Sequence, residues 1–517
     1  APCCSIPIIT KIFKRFPNKK AHSFIMAEQG FLPFEEKMRA ENISEAAILA
    51  FKNSYSALVA GETGMIPEDS IRPAKNVPSL DDIAKRTQAR PELLDETVVL
   101  KLNGGLGTSM GLEKAKSLLP VKDGNTFLDL IAQQVLKLRE ATGKQVRFML
   151  MNSFNTSGDT LTFLSKRYPE LAGDPGLELL QNKVPKVDAE TLRPAAWAAR
   201  GGGALEWCPP GHGDLYAALH GSGRLDELLA AGVKYMFVSN SDNLGATLDP
   251  RLLTWFADSG KPFLMECCER TAADKKGGHL AVRRGDGRFV LRESAQCAAE
   301  DEGAFQDVER HRYFNTNNLW VRLDKLKEEL ERAGGLIPLP MIKNAKTVDP
   351  QDGNSPKVFQ LETAMGAAIE CFAGAGAVAV PRARFAPVKK CSDLFLLRSD
   401  AYVTTDHATL VLNPQLNGAC PLVELDPKVY KLVQGLDRLT RNGTPSMVLC
   451  SRLTVNGKVK FADPAATSLS GAVTLTNTDD NGWAKLEAGE YADGTEIDIS
   501  GQRINCIEST MDICSLM

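Results

Sequence analysis

The sequence predicts an α/β protein with a mixed, mainly parallel sheet, preceded by a helical region and followed by an all-β module. Three observations predict it. From Thr97 onward, continuous apolar runs of strand length alternate with helical segments, the pattern of a sheet covered on both faces. Before that, apolar residues recur at three- and four-residue steps between Phe34 and Val59. After about Tyr402, short alternating runs broken by Gly, Asn and Asp replace the strand–helix rhythm. A chain of 517 residues exceeds one typical core. The expected divisions are residues 26–92 (helical), 93–400 (α/β) and 401–517 (β), with residues 1–25 set apart.

Residues 1–25 mix apolar and basic residues and contain no acids (IPIITKIFKRFPNKK). They read as a targeting, disordered or leader segment, with Met26 an alternative start. Ile48, Phe51, Tyr55 and Leu58 then mark a helix capped by Asn42 or Ser44. Gly61-Glu62-Thr63-Gly64 breaks it, and a polar connector with prolines runs to about Pro91. The first strand of the α/β region contains Val98, Val99 and Leu100. A helix is expected from Thr126 to Ala141, with Asn125 as its cap and Gly143 as its stop. Strands follow at Val146–Met151, Tyr235–Val238 and Phe263–Cys267. A helix covers Leu225–Ala231, and Asp249-Pro250 opens another with a cap and a first-turn proline. Ala281–Leu291 reads as a hairpin around Gly285-Asp286-Gly287. In the last region the alternating runs are Leu453–Val455, Val459–Phe461, Val473–Leu475 and Ile497–Ile499.

Composition narrows the function. The 43 % hydrophobic and 24 % charged fractions are those of a globular chain, and the net charge of −3 gives no global basic field for nucleic acid or an anionic membrane. No apolar run is long enough to span a bilayer. The 12 cysteines show no C-x-x-C pair, so reduced thiols in a cytoplasmic protein are expected. The final Ser515-Leu516-Met517 lacks the central basic residue of the Ser-Lys-Leu peroxisomal signal.

The stretch that organises the chain is TVVLKLNGGLGTSMGLEKAKSLLP, Thr97 to Pro120. A β-branched run stops at Gly104, Gly105 and Gly107, and Lys116 follows one loop later. Glycines let backbone N–H groups approach an anion closely, and the lysine adds a point charge, so the string reads as a phosphate cradle. Two familiar cradles fail. A dinucleotide fingerprint begun at Gly105 would need glycine where Met110 stands. A Walker A loop ending at Lys116-Ser117 would need glycine at Met110 and Ala115. A nicotinamide oxidoreductase is thereby disfavoured. An ordinary glycine-rich turn is the alternative for the glycines alone. Asp242, in SNSDNLG after an apolar strand, is either a Mg²⁺ ligand or an Asx-turn residue.

The whole string L-x-x-G-x-G-T-x-M-G-x(4)-K, carried by Leu102, Gly105, Gly107, Thr108, Met110, Gly111 and Lys116, resembles the nucleotide-binding signature of eukaryotic-type UDP-glucose pyrophosphorylases. QNKVPK, PPGHGD, SNSDNLGAT, DKKGGHL, LRESAQC, FNTNNLW, QLETAMGAAI and RFAPVK follow in the family's order. The resemblance implies a Rossmann-like nucleotidyltransferase domain and a C-terminal left-handed parallel β-helix. It implies transfer of uridylyl from UTP to glucose 1-phosphate, with Mg²⁺ as cofactor. Another sugar 1-phosphate, galactose or N-acetylglucosamine, is the sibling alternative. A catalytically silent nucleotide-sugar-binding protein is a further one, although Lys116, Asp242 and Lys389 are all present. No nucleic-acid or membrane partner is expected. Homo-oligomerisation through the C-terminal module is.

The residue roles implied by the resemblance are as follows. Lys116 and Lys389, the latter in RFAPVK, stabilise charge on the transferring phosphate, and Asp242 holds the metal. Leu102, Asn103, Gly104, Gly105, Gly107, Thr108, Gln181 and Gly211 receive UTP or uridine, Gln181 through an amide suited to the imide edge of uracil. His212, Asn240, Gly278, Glu293, Asn315 and Asn317 receive the glucose and its phosphate, with His212 binding and not transferring a proton.

Overall fold

The computed structural model describes residues 18–198, 202–271 and 274–500. The first 17 residues and the Ser515-Leu516-Met517 tail therefore lie outside the description. Packing divides the described residues into two compact units. One comprises the chain up to Gly104 with Lys144–Asn240 and Leu248–Arg382, and the other Gly105–Gly143, Ser241–Thr247 and the chain from Ala383.

In the first unit the expected N-terminal helix is two helices, α1 (Asn18–Ala40) and α2 (Glu45–Val59). Asn42, with φ 56°, breaks the run between them, and Ser44 caps α2 by accepting from the Ala47 N–H at 3.3 Å. Phe31, Phe34 and Met38 of α1 are buried against Ile48, Phe51 and Tyr55 of α2, so the periodic residues form the seam. The polar connector after Gly61 is more ordered than its composition suggests. Ile71–Pro73 forms β1, an edge strand antiparallel to residues 281–283. Pro73 is tolerated there because an edge leaves one row of N–H groups unused.

The sheet has ten strands. After β1 come β2 (Thr97–Asn103), β3 (Arg147–Asn152), β4 (Glu178–Leu180), β5 (Tyr235–Asn240) and β6 (Phe263–Glu269). The expected hairpin follows as β7 (His279–Arg283) and β8 (Phe289–Arg292), and then β9 (Tyr313–Arg322) and β10 (Gly376–Ala379). The order is β1-β7-β9-β5-β2-β3-β4, with β8 on β7, β6 on β9 and β10 on β6. Strands β5, β2, β3 and β4 run parallel, β6 pairs with β10 in parallel, and β9 turns the sheet antiparallel. Val98, Leu100, Met149, Met151, Met236, Val238, Leu319 and Val321 join one buried cluster, as near-continuous apolar strands require.

Register fixes what matters for function. Leu102 lies opposite Asn240, Asn103 opposite Asn152, and Asn152 opposite Leu180. The carboxyl ends of β5, β2, β3 and β4 therefore share one edge, where ligands of parallel sheets bind.

The second unit carries α3 (Phe127–Thr142), whose cap is Thr126 and not Asn125. Thr126 and Asp129 form a reciprocal capping box. Asn125 instead pairs in a two-residue strand and accepts from Gln133, so its side chain is spent elsewhere. Gly143, at φ 66°, ends the helix as expected. The same unit contains the short helix α4 (Cys391–Arg398). Its alternating C-terminal runs are strands β11 (Leu422–Leu425), β12 (Ser446–Asn456) and β13 (Val459–Phe461), then β14 (Thr467–Thr476), β15 (Ala484–Leu486), β16 (Gly489–Tyr491) and β17 (Thr495–Asp498). All pair in parallel: β11 on β12, β12 on β14, β14 on β16 and β17, and β13 on β15. Leu453, Val455, Val473 and Leu475 point inward and are buried.

Candidate active site

The parallel edge is prepared by a buried polar network. Asn103 donates through Nδ2 to Asn152 Oδ1 at 2.7 Å and to Thr160 Oγ1 at 3.0 Å, and Asn152 donates to Glu178 at 2.6 Å. Asn103 therefore turns its amide into the protein. Leu102 is half-buried against the core. Gly104 has its carbonyl held by Ser153 Oγ at 2.9 Å. A Cβ on Gly104 would sit 2.7 Å from Gln181 Oε1, so the glycine is what admits the Gln181 amide. Gln181 Nε2 then donates to the Gly211 carbonyl at 2.9 Å. Gly104, Gln181 and Gly211, from three separate motifs, are thus brought together.

The PPGHGD turn pairs with Thr363: the Gly213 N–H donates to the Thr363 carbonyl, and the Thr363 N–H donates to the Pro210 carbonyl, both at 2.9 Å. Gly211 has φ 80° and ψ 171°, a conformation open to glycine alone, and a Cβ there would lie 2.5 Å from the Thr363 carbonyl oxygen. His212 Nδ1 accepts from the Met365 N–H at 3.1 Å, which places the ring proton on Nε2. Burial of the ring pushes its pKa down to about 4, so His212 is a neutral hydrogen-bond donor at working pH.

A second group follows the sheet. A Cβ on Gly278 would lie 2.4 Å from Glu293 Oε2, so this glycine faces the carboxylate directly. The Asn315 N–H donates to the Gly278 carbonyl at 3.1 Å, and Asn315 Oδ1 accepts from the Asn317 N–H at 2.9 Å. Asn317, at φ 61°, donates to Asn240 Oδ1 at 2.9 Å, while its own Oδ1 is buried without a hydrogen-bond partner. Glu293 closes β8 and caps the Ser294–Gln296 turn. Five of the six residues expected to meet the glucose and its phosphate form one contiguous chain of contacts that ends in a buried acceptor needing a donor, while His212 lies apart on the PPGHGD turn.

In the second unit the glycine loop folds back on itself. Gly107 and Gly111 take φ 66° and 76°, bracketing a Thr108–Met110 turn, and the Lys116 N–H donates to the Gly105 carbonyl at 3.0 Å. Gly105 and Thr108 are exposed on this loop. Lys116 is half-buried. Its ammonium meets Asp242 Oδ2 at 2.7 Å and donates to the Val388 carbonyl, one residue before Lys389. The Val388 N–H in turn donates to the Asp242 carbonyl at 3.3 Å. Lys389 is exposed, and its backbone N–H is anchored by Asp393 at the start of α4. The glycine loop, SNSDNLG and RFAPVK, separated by more than 120 residues at each step, therefore converge.

Sequence reasoning did not single out what holds these pieces. Asn243 accepts from the Ala386 N–H at 3.0 Å and donates to the Arg384 carbonyl at 3.1 Å, pinning the Asp242 turn to RFAPVK. Asp214, Thr363 and Met365 do the same for the PPGHGD turn. The strings QLETAMGAAI and SNSDNLGAT contain three of them, but only contacts over long sequence separations reveal their use. Among the described residues no cluster of three His, Cys, Asp or Glu side chains forms a metal cage. Asp242, the residue expected to hold Mg²⁺, is engaged through Oδ2 by the Lys116 ammonium, and a site with a single carboxylate would take most of its ligands from phosphate and water oxygens.

Known proteins resemble this chain over most of its length. The family described as UTP–glucose-1-phosphate uridylyltransferase matches residues 48–466. The enzyme of that name from Solanum tuberosum is 38 % identical over 468 residues, covering 89 % of this chain and 94 % of the relative. That from Saccharomyces cerevisiae is 40 % identical over 387 residues, 75 % of each. Among solved structures, the UDP-glucose pyrophosphorylase of Leishmania major aligns with a TM-score of 0.85 and 49 % identity, over 91 % of this chain and 99 % of the other. A variant of the same enzyme, solved in complex with UDP-glucose, aligns equally well, with a TM-score of 0.85. The chain belongs to the UTP–glucose-1-phosphate uridylyltransferase family.

Proposed function

We propose that this protein catalyses reversible uridylyl transfer between UTP and glucose 1-phosphate, giving UDP-glucose and pyrophosphate. The observation that carries the reading is the Lys116 ammonium held between Asp242 and the Val388 carbonyl at the end of the glycine loop. A phosphate oxygen of the sugar phosphate attacks the α-phosphorus of UTP in line, and the bond to the bridging oxygen of pyrophosphate breaks. The attacking phosphate is already ionised, so no general base is needed, and a neutral His212 suits that requirement. What remains is positioning and charge neutralisation.

Lys116 and Lys389 neutralise charge developing on the phosphoryl oxygens. Gly105, Gly107 and Thr108 offer loop groups to the phosphates. Gln181 reads uracil, with Gly104 and Gly211 shaping its place, and Leu102 and Asn103 support it from the strand end. Asn240, Gly278, Glu293, Asn315 and Asn317 pair sugar hydroxyls, and His212 Nε2–H donates toward the sugar phosphate. Asp242 would hold Mg²⁺, which would supply neutralisation of the phosphate charge. The resemblance further supports a left-handed β-helix for the C-terminal parallel strands, self-association through it, and a cytoplasmic location.

Purified protein incubated with UTP, Mg²⁺ and a panel of sugar 1-phosphates tests the reading by pyrophosphate release. Release with glucose 1-phosphate is expected. Release only with an aminosugar phosphate transfers the assignment to the sibling activity, and no release with any sugar overturns catalysis.

A further inference from the structure

The PPGHGD turn holds a carboxylate for which the transfer reaction itself has no use. Asp214 is 5 % exposed. Its Oδ2 accepts from the Asn182 backbone N–H at 2.7 Å, and the Asn182 side-chain amide donates to Oδ1 at 3.0 Å and to Oδ2 at 3.1 Å. Asn182 directly follows Gln181, which donates back to Gly211 on the same turn at 2.9 Å. The segment carrying the uracil-reading amide and the turn carrying Gly211 are therefore stitched twice, once in each direction.

The stitching depends on ionisation. A carboxylate only accepts, and Asn182 presents only donors to it. Once protonated, one oxygen of Asp214 becomes a donor facing donors, and part of the stitching is lost. Among the described residues no cation compensates the charge. On its own turn His212 is neutral. The helix after the turn presents Tyr216, whose hydroxyl donates to the Met365 carbonyl. α2 contributes Asn53 and Ser54, residues 335–339 contribute only glycine and apolar groups, and the strand beyond Leu361 contributes Thr363. Of the flanking charges, Lys183 pairs with Glu41, and the Glu362 carboxyl is itself shifted up by burial. Burial accordingly raises the Asp214 pKa to about 7, with the Asn182 bonds opposing it. A cavity of about 40 Å³ bounded by Ser54, Asp214, Tyr216 and Thr363 has room for water beside the carboxyl.

We infer that Asp214 is a positioning residue: its carboxylate fixes the Gln181–Asn182 segment against the Gly211 turn, and protonating it loosens the uridine pocket and weakens nucleotide binding. The inference rests on the uridylyltransferase reading.

Calorimetric titration with UDP-glucose from pH 5.5 to 8.0 tests it, because the diphosphate and uracil keep constant charge over that range. The wild-type Kd is expected to rise about fivefold between pH 8.0 and 5.5, the worth of one lost hydrogen bond. Asp214→Asn, which cannot ionise, should bind with nearly constant Kd. Asn182→Ala should bind more weakly at pH 8.0 and show a shallower slope. A purely structural role would lower the melting temperature of the variants and leave the slope of Kd against pH intact. A flat wild-type profile, or wild-type slopes in the folded variants, overturns the inference. If Asp214→Asn does not fold, the Asn182→Ala profile decides on the same criterion. Failure of the wild type to bind UDP-glucose at every pH overturns the uridylyltransferase reading instead.

Discussion

Replacing Gly278 with alanine tests the proposed sugar end of the site without replacing a charged group. The new Cβ would lie 2.4 Å from Glu293 Oε2, 2.5 Å from its carboxyl carbon and 2.7 Å from Oε1, where ordinary contact begins near 3.4 Å. The carboxylate must therefore retreat by about 1 Å. It is the far end of a flexible side chain, and Gly278 does not need a left-handed backbone, so the fold can absorb the change. The cost in stability is the weakened cap on the Ser294 turn, about 1 kcal/mol. The cost in function is larger, since a 1 Å misplacement of a positioning group lowers reaction efficiency by up to about 100-fold. Steady-state kinetics should show kcat/KM for glucose 1-phosphate falling by one to two orders of magnitude, with KM for UTP changed less than about threefold. A normal kcat/KM for glucose 1-phosphate in the folded variant would refute the placement of Glu293 against the sugar.

Two further outcomes follow from the same geometry. Gly211→Ala forces a side chain into a glycine-only conformation and to 2.5 Å from the Thr363 backbone, which cannot yield as a side chain can. It should cost about 2–4 kcal/mol, read as a lower thermal midpoint, and raise KM for UTP. The second concerns acid. His279 is fully buried, stacks on His311 with ring centroids 3.9 Å apart, and has its pKa pushed down to about 2 by burial first and then by His311, Arg270 and Arg292. The folded state thus binds fewer protons than the unfolded one below about pH 6.5, and stability supplied by the neutral ring is lost as pH falls. His279→Phe should lose less stability than the wild type between pH 7 and pH 5, by about 1.4 kcal/mol per pH unit below the ordinary histidine pKa. Equal acid slopes of the melting temperature would remove His279 from the explanation.

What the sequence made legible was local or strongly periodic. The apolar strands, the Gly285-Asp286-Gly287 hairpin, the Asp249-Pro250 helix start and the Gly143 stop are written in neighbouring residues, and the structure has each of them. Asn125 misled because Asn and Thr are both good caps, and only the pairing of Asn125 with Lys122 decides between them. The connector before Pro91 concealed β1 because three residues give no period to read, and its pairing with β7 joins positions about 210 residues apart. The same reason hid Asp214 and Asn243. Each acts by binding backbone or amide groups that lie far away in sequence or in another motif, and nothing beside them announces it. Sequence adjacency does not show grouping either, since α3 and the Asp242 turn belong to the same compact unit as the chain from Ala383, while β2, β3 and β5, which flank them in sequence, belong to the other.

In the proposed reaction the Lys116 ammonium, fixed by Asp242 and the Val388 carbonyl, neutralises charge on the transferring phosphate. The most direct measurement is the rate of pyrophosphate release by Lys116→Ala at saturating UTP, glucose 1-phosphate and Mg²⁺. The kcat is expected to fall by about 100- to 1,000-fold, the usual loss when one preorganised donor is removed, with a melting temperature close to that of the wild type. A kcat within a few-fold of the wild-type value would contradict it.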